Sequence, residues 1–456
     1  MQKVKKERIQ LSDRFTYGRL FRFVAPPIIM MVFTSIYSIV DGLFVSNFDP
    51  GLPFAALNLI FPLIMILGSV GFMLGTGGNA LVAKYLGRGE KERANKNFSL
   101  LVYAAIVFGV ILSLVGISVA RPVAVFLCES EQDLTGEERA KLVEYCVLYA
   151  RIILLALPAF MLQNAFQGFF VTAEKPRLGL YVTLLAGFCN VVLDALLVPS
   201  FGLKGAAIAT AISQCVGGVL PVFYFLSKND SLLRLGKASC DFRSLGNACF
   251  NGSSEFLTNV SSSVVSMFFN AQLMKFVGYN GVSAYGIIMY ISFIFIAVFL
   301  GYSIGCSPII GYNYGAQNER ELKNIFKKSI LTVTIGGVIM TILSFAFAGP
   351  LSAIFASQDK ALYELAVHGM RVYSFSFLLC GVSIFGSSLF TALSNGGVSA
   401  LISFMRMFVF QIVSVLILPV FFEVEGIWAS VVAAEGLACL LSVACFFAFR
   451  KRYRYM

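Results

Sequence analysis

Apolar runs about as long as a membrane-crossing helix recur along this chain, separated by short polar and charged stretches. A helix needs about 20 mostly apolar residues to cross the hydrocarbon core of a bilayer. Twelve such runs can be placed, at roughly 20–47, 53–80, 98–120, 143–171, 178–198, 203–226, 248–277, 282–310, 326–348, 361–392, 399–420 and 425–449. The seventh run is unlike the others. It carries Glu255, Thr258, Asn259, Ser262 and Ser266 at steps of three and four, which is one face of a helix. A polar face inside a membrane must look at a cavity or a partner. The pattern predicts an all-α integral membrane protein with twelve transmembrane helices.

The pattern also repeats. Gly71 to Gly75 (GFMLG) ends the second run as Gly301 to Gly305 (GYSIG) ends the eighth. Each is followed by a glycine, Gly87 or Gly315, and then by KERANKNF or ERELKNIF, which close on Phe98 and Phe326. A lone Gly-x-x-x-Gly speaks only for close helix packing; its recurrence after half the chain is the informative feature. Six spans per half is an even number, so both halves share one orientation and form a parallel repeat about an axis along the membrane normal. The predicted organisation is two six-helix lobes, residues 1–230 and 231–456, with a cavity between them.

Composition agrees with a chain whose solvent is mostly lipid: 58% of residues are hydrophobic, 13% are charged and the mean hydropathy is +0.82. Charge then sets orientation, because Lys and Arg collect at cytoplasmic ends. Of the 35, 26 fall at the ends shared with the two termini, among them Lys3, Lys5, Lys6, Arg8, Arg14, Arg19 and Arg22. Both termini are therefore expected in the cytoplasm, and topology accounts for the net charge of +11 without a nucleic-acid partner. The first run is too long for a cleaved signal peptide and lacks an Ala-x-Ala-like exit, so it reads as a retained helix. Ten cysteines, mainly inside the runs and without a Cys-x-x-Cys pair, and one histidine, His368, support neither a zinc site nor a disulfide framework. Gly236-Lys237 lacks the flanking residues of a phosphate-binding loop, and GTGGNA at 75–80 ends a membrane helix where a dinucleotide fingerprint needs a strand. No organic cofactor and no ATP-driven step are predicted.

The chemistry lies in the few charges within the spans. Asp41 is the one charged side chain between Phe23 and Val45, and it shares a helical face with Thr34, Tyr37 and Ser38. A carboxylate there costs about 2.5–3.5 kcal/mol even on the mildest insertion scale, so the default reading is an ion, proton or substrate site. At about 1.5 Å per residue, Asp41 lies about 28 Å from Arg22 and Asp194 about 26 Å from Arg177. The two acids reach one level. Asn190 sits one turn before Asp194, and Thr210 enters from the outer side after Lys204, so all four fall in the outer half of the first lobe. Oxygens of this kind suit a hard cation or a shared proton. In the second lobe Glu255 lies near mid-bilayer, while Arg406 and Glu435 read as a buried structural pair.

Taken together these strings resemble the multidrug and toxic compound extrusion (MATE) family of transporters, in particular its bacterial, MepA-like branch. The resemblance covers roughly residues 15–450. It is carried by the proline-led first helix ending in IVDGLFVSN, by NVVLDALLV, by GLKGAAIATAIS and by GYNYGAQNE, in family order. It implies a cation or proton site at Asp41, Asn190, Asp194 and Thr210 with Tyr37 hydrogen-bonded nearby, and a possible Na⁺ at Asp41 and Asp194. Glu255 falls where one branch has an acid in the seventh helix. That branch adds a second acid in the tenth helix, and this chain has none between Glu364 and Glu423. Asn259, Gln163 and Asn164 join Glu255 as expected substrate and cavity residues.

The expected activity is antiport, with H⁺ or Na⁺ exchanged for an amphipathic, cationic organic compound by alternating access. Phe, Met and Tyr surfaces would take up the substrate and acids would match its charge. The implied setting is the inner membrane of a bacterium, with a monomeric, multi-pass chain that is not an enzyme. A flippase for a lipid-linked precursor would share the fold but would need cations in its cavity for phosphates; a membrane-embedded enzyme would need a metal cluster or nucleophile–base pair.

Overall fold

The computed structural model describes residues 9–49, 51–129, 135–238, 241–356 and 359–456. The basic positions Lys3, Lys5, Lys6 and Arg8 lie outside them. The described chain folds as α1 (Tyr17–Phe48), α2 (Leu52–Gly87), α3 (Lys91–Glu129), α4 (Gly136–Leu155), α5 (Leu157–Thr172), α6 (Pro176–Leu226), α7 (Phe242–Phe276), α8 (Tyr279–Gly315), α9 (Glu319–Ala356), α10 (Lys360–Ser374), α11 (Phe377–Ala392), α12 (Gly396–Phe404), a π-helical turn (Met405–Val409) and α13 (Phe410–Tyr453). Starts follow capping chemistry. Thr16, Asp241, Asp359 and Asn395 each accept a first-turn N–H through the side chain, and Thr135 with Glu138 forms a full capping box.

Among the described residues seven helices are long and apolar enough to cross a membrane, and nine spans result when the bent pairs α4–α5 and α10–α11 are each taken as one. Two more come from reversals. At 51 residues α6 would measure about 76 Å if straight. It is not straight: Gly202 has φ 53°, and a Cβ on Gly205 would overlap the carbonyl oxygen of Leu197, a group about 12 Å away in a continuous helix. The same happens in α13, where Glu423 has φ 48° and a Cβ on Gly426 would overlap the carbonyl oxygen of Leu418. The twelfth is α7, 35 residues long, whose polar stripe keeps it out of the apolar set.

Three spans differ from the sequence expectation. The fourth and tenth spans are each two helices, bent by 56° and 54°; Pro158 near the start of α5 supplies the first break, since proline cannot continue the hydrogen-bond ladder of the preceding turn. The third run, placed at 98–120, is the middle of a 39-residue helix.

Left-handed backbone recurs with the repeat. Gly51 pairs with Gly278, Gly89 with Gln317, Glu174 with Ser394 and Gly202 with Glu423, each 220–228 residues apart. In two of these pairs glycine meets the steric demand in the first half where Gln317 or Glu423 bears it in the second; Gly51 and Gly278 are glycine in both, and Glu174 and Ser394 bear it in both. One buried apolar cluster runs from Val45 to Ala248; the other gathers most of the second half together with Leu11, Phe15, Leu20, Phe23 and Val24. The α1 helix therefore starts in one core and ends in the other.

The two halves meet through glycine. A Cβ on Gly77 would overlap the carbonyl oxygen of Ala248, and one on Gly252 that of Met73; Gly87 stands likewise against Tyr312, and Gly315 against Lys84. These are reciprocal, as a pseudo-two-fold interface requires. They all lie toward the same end, where α2 and α8 finish and α7 begins. The matching Gly-x-x-x-Gly pairs do different jobs: Gly71 and Gly75 receive Met161 and Ala165 of α5, whereas Gly301 and Gly305 receive Pro27, Ile28 and Val24 of α1.

This interface is testable with one methyl group. Gly252→Ala should lower stability by about 1–3 kcal/mol through overpacking, while Gly246→Ala, with nothing within 4 Å, should leave it unchanged or slightly raised. Thermal unfolding of the purified variants decides, and an unchanged midpoint in Gly252→Ala would rule out the backbone contact.

Candidate functional site

The reversal at Gly202 lays both arms of α6 against α1, and this brings three separate polar positions together. Thr210, on the second arm, donates its hydroxyl to Asp41 Oδ1 at 3.4 Å. Asp194, on the first arm, faces Asp41. Asn190 lies one turn away from Asp194 on the same arm. Asp49, just past α1, secures the reversal by accepting the Leu203 N–H at 2.8 Å, a carboxylate at the positive end of the second arm.

Asp194 is fully buried and Asn190 is 1% exposed. Neither oxygen of Asp194 and neither polar atom of the Asn190 side chain meets a protein donor or acceptor by ordinary geometry. Buried polar atoms are nearly always paired, and leaving one unpaired costs about 1–3 kcal/mol. A proton between the carboxyls, or a small cation among their oxygens, would meet that need. Among the described residues no group of three or more His, Cys, Asp or Glu could hold a metal ion, so an ion here would rest on two carboxyls and neutral oxygens.

Aromatic hydroxyls flank the pair. Tyr37, one turn before Asp41, lies beside Gln163 of α5, and Gly187 leaves room for its ring. Gln163 itself is buried against Gly217, where a Cβ would lie 2.7 Å from its carboxamide carbon. The structure thus places Gln163 inside the first half beside Tyr37. Asn164 is half-buried and donates to the Phe160 carbonyl of its own helix at 3.0 Å. Two neighbours of the site escaped the sequence reading: Tyr149 of α4, near both carboxyls, and Tyr290 of α8, near Asp41 from the other half. A tyrosine in an apolar helix is ordinary, and no spacing signal separates these two from the rest.

In the second half the stripe of α7 is largely bonded to its own backbone: Thr258 to Ser254 at 2.8 Å, Asn259 to Glu255 at 2.8 Å and Ser266 to Ser262 at 3.0 Å. The Glu255 carboxylate is different, being influenced by the charge of Arg406 without a bond to it. Arg406 lies in the π-helical turn, a geometry that re-aims a side chain and recurs at functional sites. Its Nε donates to both Glu435 oxygens at 2.9 Å, and the two side chains are 11% and 5% exposed. Arg406 and Glu435 are brought together; Glu255 stands apart from the first-half acids.

The family model for MatE matches residues 26–196 and 255–417. Among curated proteins, the chain is 24% identical to the multidrug export protein MepA of Staphylococcus saprophyticus, over 98% of each chain. It is 26% identical to the MepA of Staphylococcus haemolyticus, over 96% of this chain and 94% of that one. Among solved structures, it superposes with a TM-score of 0.87 on an outward-facing conformation of a multidrug resistance MATE family transporter of the MOP superfamily, at 21% identity and 96% coverage of both chains.

The buried ion pair makes a prediction independent of transport. Arg406→Met or Glu435→Leu alone should each destabilise by about 3–5 kcal/mol, because an unpaired charge is left in a low dielectric. The double variant should recover most of that loss. Unfolding of the three purified variants tests it, and additive losses in the double variant would show that the two side chains are not coupled.

Proposed function

The chain belongs to the MatE family, and from that premise we propose that it is a cation-coupled antiporter exporting amphipathic, cationic organic compounds. The coupling ion is H⁺ or Na⁺, and the route is alternating access across the inner membrane of a bacterium. One observation carries the reading: the carboxyls of Asp41 and Asp194 stand side by side inside the membrane, with both Asp194 oxygens unmatched by the protein. In this reading Asp41 and Asp194 hold the proton or cation, Thr210 and Asn190 offer neutral oxygens, and Tyr37 with Tyr149 closes the sides. Glu255 and Asn259 match the substrate's positive charge, with Gln163 and Asn164 lining its route, and Arg406 and Glu435 keep the second half together.

The moving parts are two lobes of one monomeric chain, residues 1–230 and 231–456. The reciprocal glycine contacts and the paired left-handed turns support this division. With both termini read as cytoplasmic, the end closed by glycine is the cytoplasmic one. A multidrug substrate class is supported by relatives named multidrug export proteins. The lipid-linked flippase reading is less favoured because Arg406, the basic residue within a span, is already engaged by Glu435.

Protein reconstituted in vesicles with imposed pH or sodium gradients tests the reading. A cationic dye should move in response to one of the two gradients. Asp41→Asn and Asp194→Asn should each reduce gradient-driven movement to the rate seen without a gradient, with folding retained, since each change keeps size and removes the titrating group. Parental rates in both variants would remove the site from the mechanism.

A further inference from the structure

Before α1 the chain crosses the closed end as a short strap, residues 9–16, that is bonded to both halves. The Leu11 N–H donates to Glu174 Oε1 at 2.8 Å, in the turn between α5 and α6 of the first half. The Leu11 carbonyl accepts from Asn313 Nδ2 of α8 at 3.5 Å. One turn on, the Phe15 N–H donates to Glu321 Oε1 at 2.8 Å, and its carbonyl accepts from Asn324 Nδ2 at 2.9 Å and from Lys328 Nζ, all of α9. Leu11 and Phe15 are fully buried, in the second-half cluster that also takes Val171 from the first half.

The two carboxylates are unusual for a membrane surface. Glu174 and Glu321 are both buried, and a buried carboxylate must be held by donors. Glu321 has the Phe15 N–H and Asn324 Nδ2, at 2.7 Å. Glu174 reaches Leu11 from a left-handed backbone, φ 58°, a conformation that costs a non-glycine residue about 1–2 kcal/mol. Its counterpart in the repeat, Ser394, also stands at φ 59° and also meets the opposite half, accepting Lys84 Nζ at 3.4 Å. The strap therefore joins a seam already drawn tight by Gly87 and Gly315, and several bonds tie it to the second half while, among the described residues, its hydrogen bond to the first half is that of Leu11 to Glu174.

We propose that residues 9–16 are a latch that holds the closed end shut, with the Leu11–Glu174 hydrogen bond as its release point. Parting the halves at this end separates Glu174 from α8 and α9, which keep the strap, so that bond must break. Thr16 ends the strap and caps α1, so movement of the latch passes directly into the helix that carries Asp41. The inference rests on the reading that the halves part at this end.

Hydrogen–deuterium exchange of the full chain in detergent micelles tests it without transport. Glu174→Gly removes the carboxylate while suiting the left-handed backbone, so the fold is expected to persist. Amides in 77–87 and 305–315, along the seam, should then exchange at least about tenfold faster, the factor that losing one charge-assisted hydrogen bond allows, while those in 190–200 stay at the parental rate. Phe15→Ala, which unseats the strap from the second half, should act in the same direction. Parental exchange at the seam in Phe15→Ala, or in a folded Glu174→Gly, overturns the latch. That outcome is separable from failure of the antiport reading, which would appear as loss of gradient response with the latch intact.

Discussion

Two carboxyl groups side by side in a region of low dielectric repel each other unless a proton or a cation lies between them. That constraint organises the first half of this molecule. Asp41 and Asp194 are 153 positions apart in the chain and meet because α6 doubles back at Gly202 and lays its arms along α1. Thr210 supplies a hydroxyl to one carboxyl, and among the described residues no donor does so for the other. A site with too few donors is costly to keep empty, and this cost is what supports reading it as a binding site. The second half is built on the opposite principle. Its intramembrane acid Glu435 has a tethered cation in Arg406, which occupies both oxygens.

Binding at one place can move the whole molecule only if the halves are joined by a contact with two states. The seam between them is made of backbone against backbone at Gly77, Gly252, Gly87 and Gly315, with little side-chain interlocking to unpick. Such a seam closes tightly with few interlocked side chains, and apart from the strap, the start of α1 and Val171, which pack in the second-half cluster, the first half keeps its own buried core. The α1 helix ties site to seam: its start packs in the second-half core, its end in the first, and Asp41 lies between.

Much of this was legible in the sequence because membranes make charges conspicuous. Asp41 and Asp194 stood out as lone acids in apolar runs, and depth counted along the helices set them at one level. Thr210 was placed near them, although the count could not show that its hydroxyl reaches Asp41. The repeat was legible through Gly87 and Gly315, whose mutual packing across the seam explains why each half needs a glycine there. Other features carried no such signal. Tyr149 and Tyr290 are ordinary residues of apolar helices, the α10–α11 bend has no proline to announce it, and the π-helical turn at Arg406 leaves no periodic trace. The strap was hidden for a different reason: Leu11 and Phe15 lie in an N-terminal stretch read for its positive charge, Glu174 lies in a turn read the same way, and Glu321, in the first turn of α9, lies in a string read for charge and for the repeat.

The central claim is that the carboxyl pair binds a cation or proton in competition with the arrangement that binds substrate. Equilibrium binding of an organic cation to the purified protein, measured across a pH series with and without sodium, tests it most directly. The account predicts that the dissociation constant rises steadily with proton or sodium concentration and that this dependence disappears in Asp41→Asn. An affinity indifferent to both ions in the parental protein would contradict it.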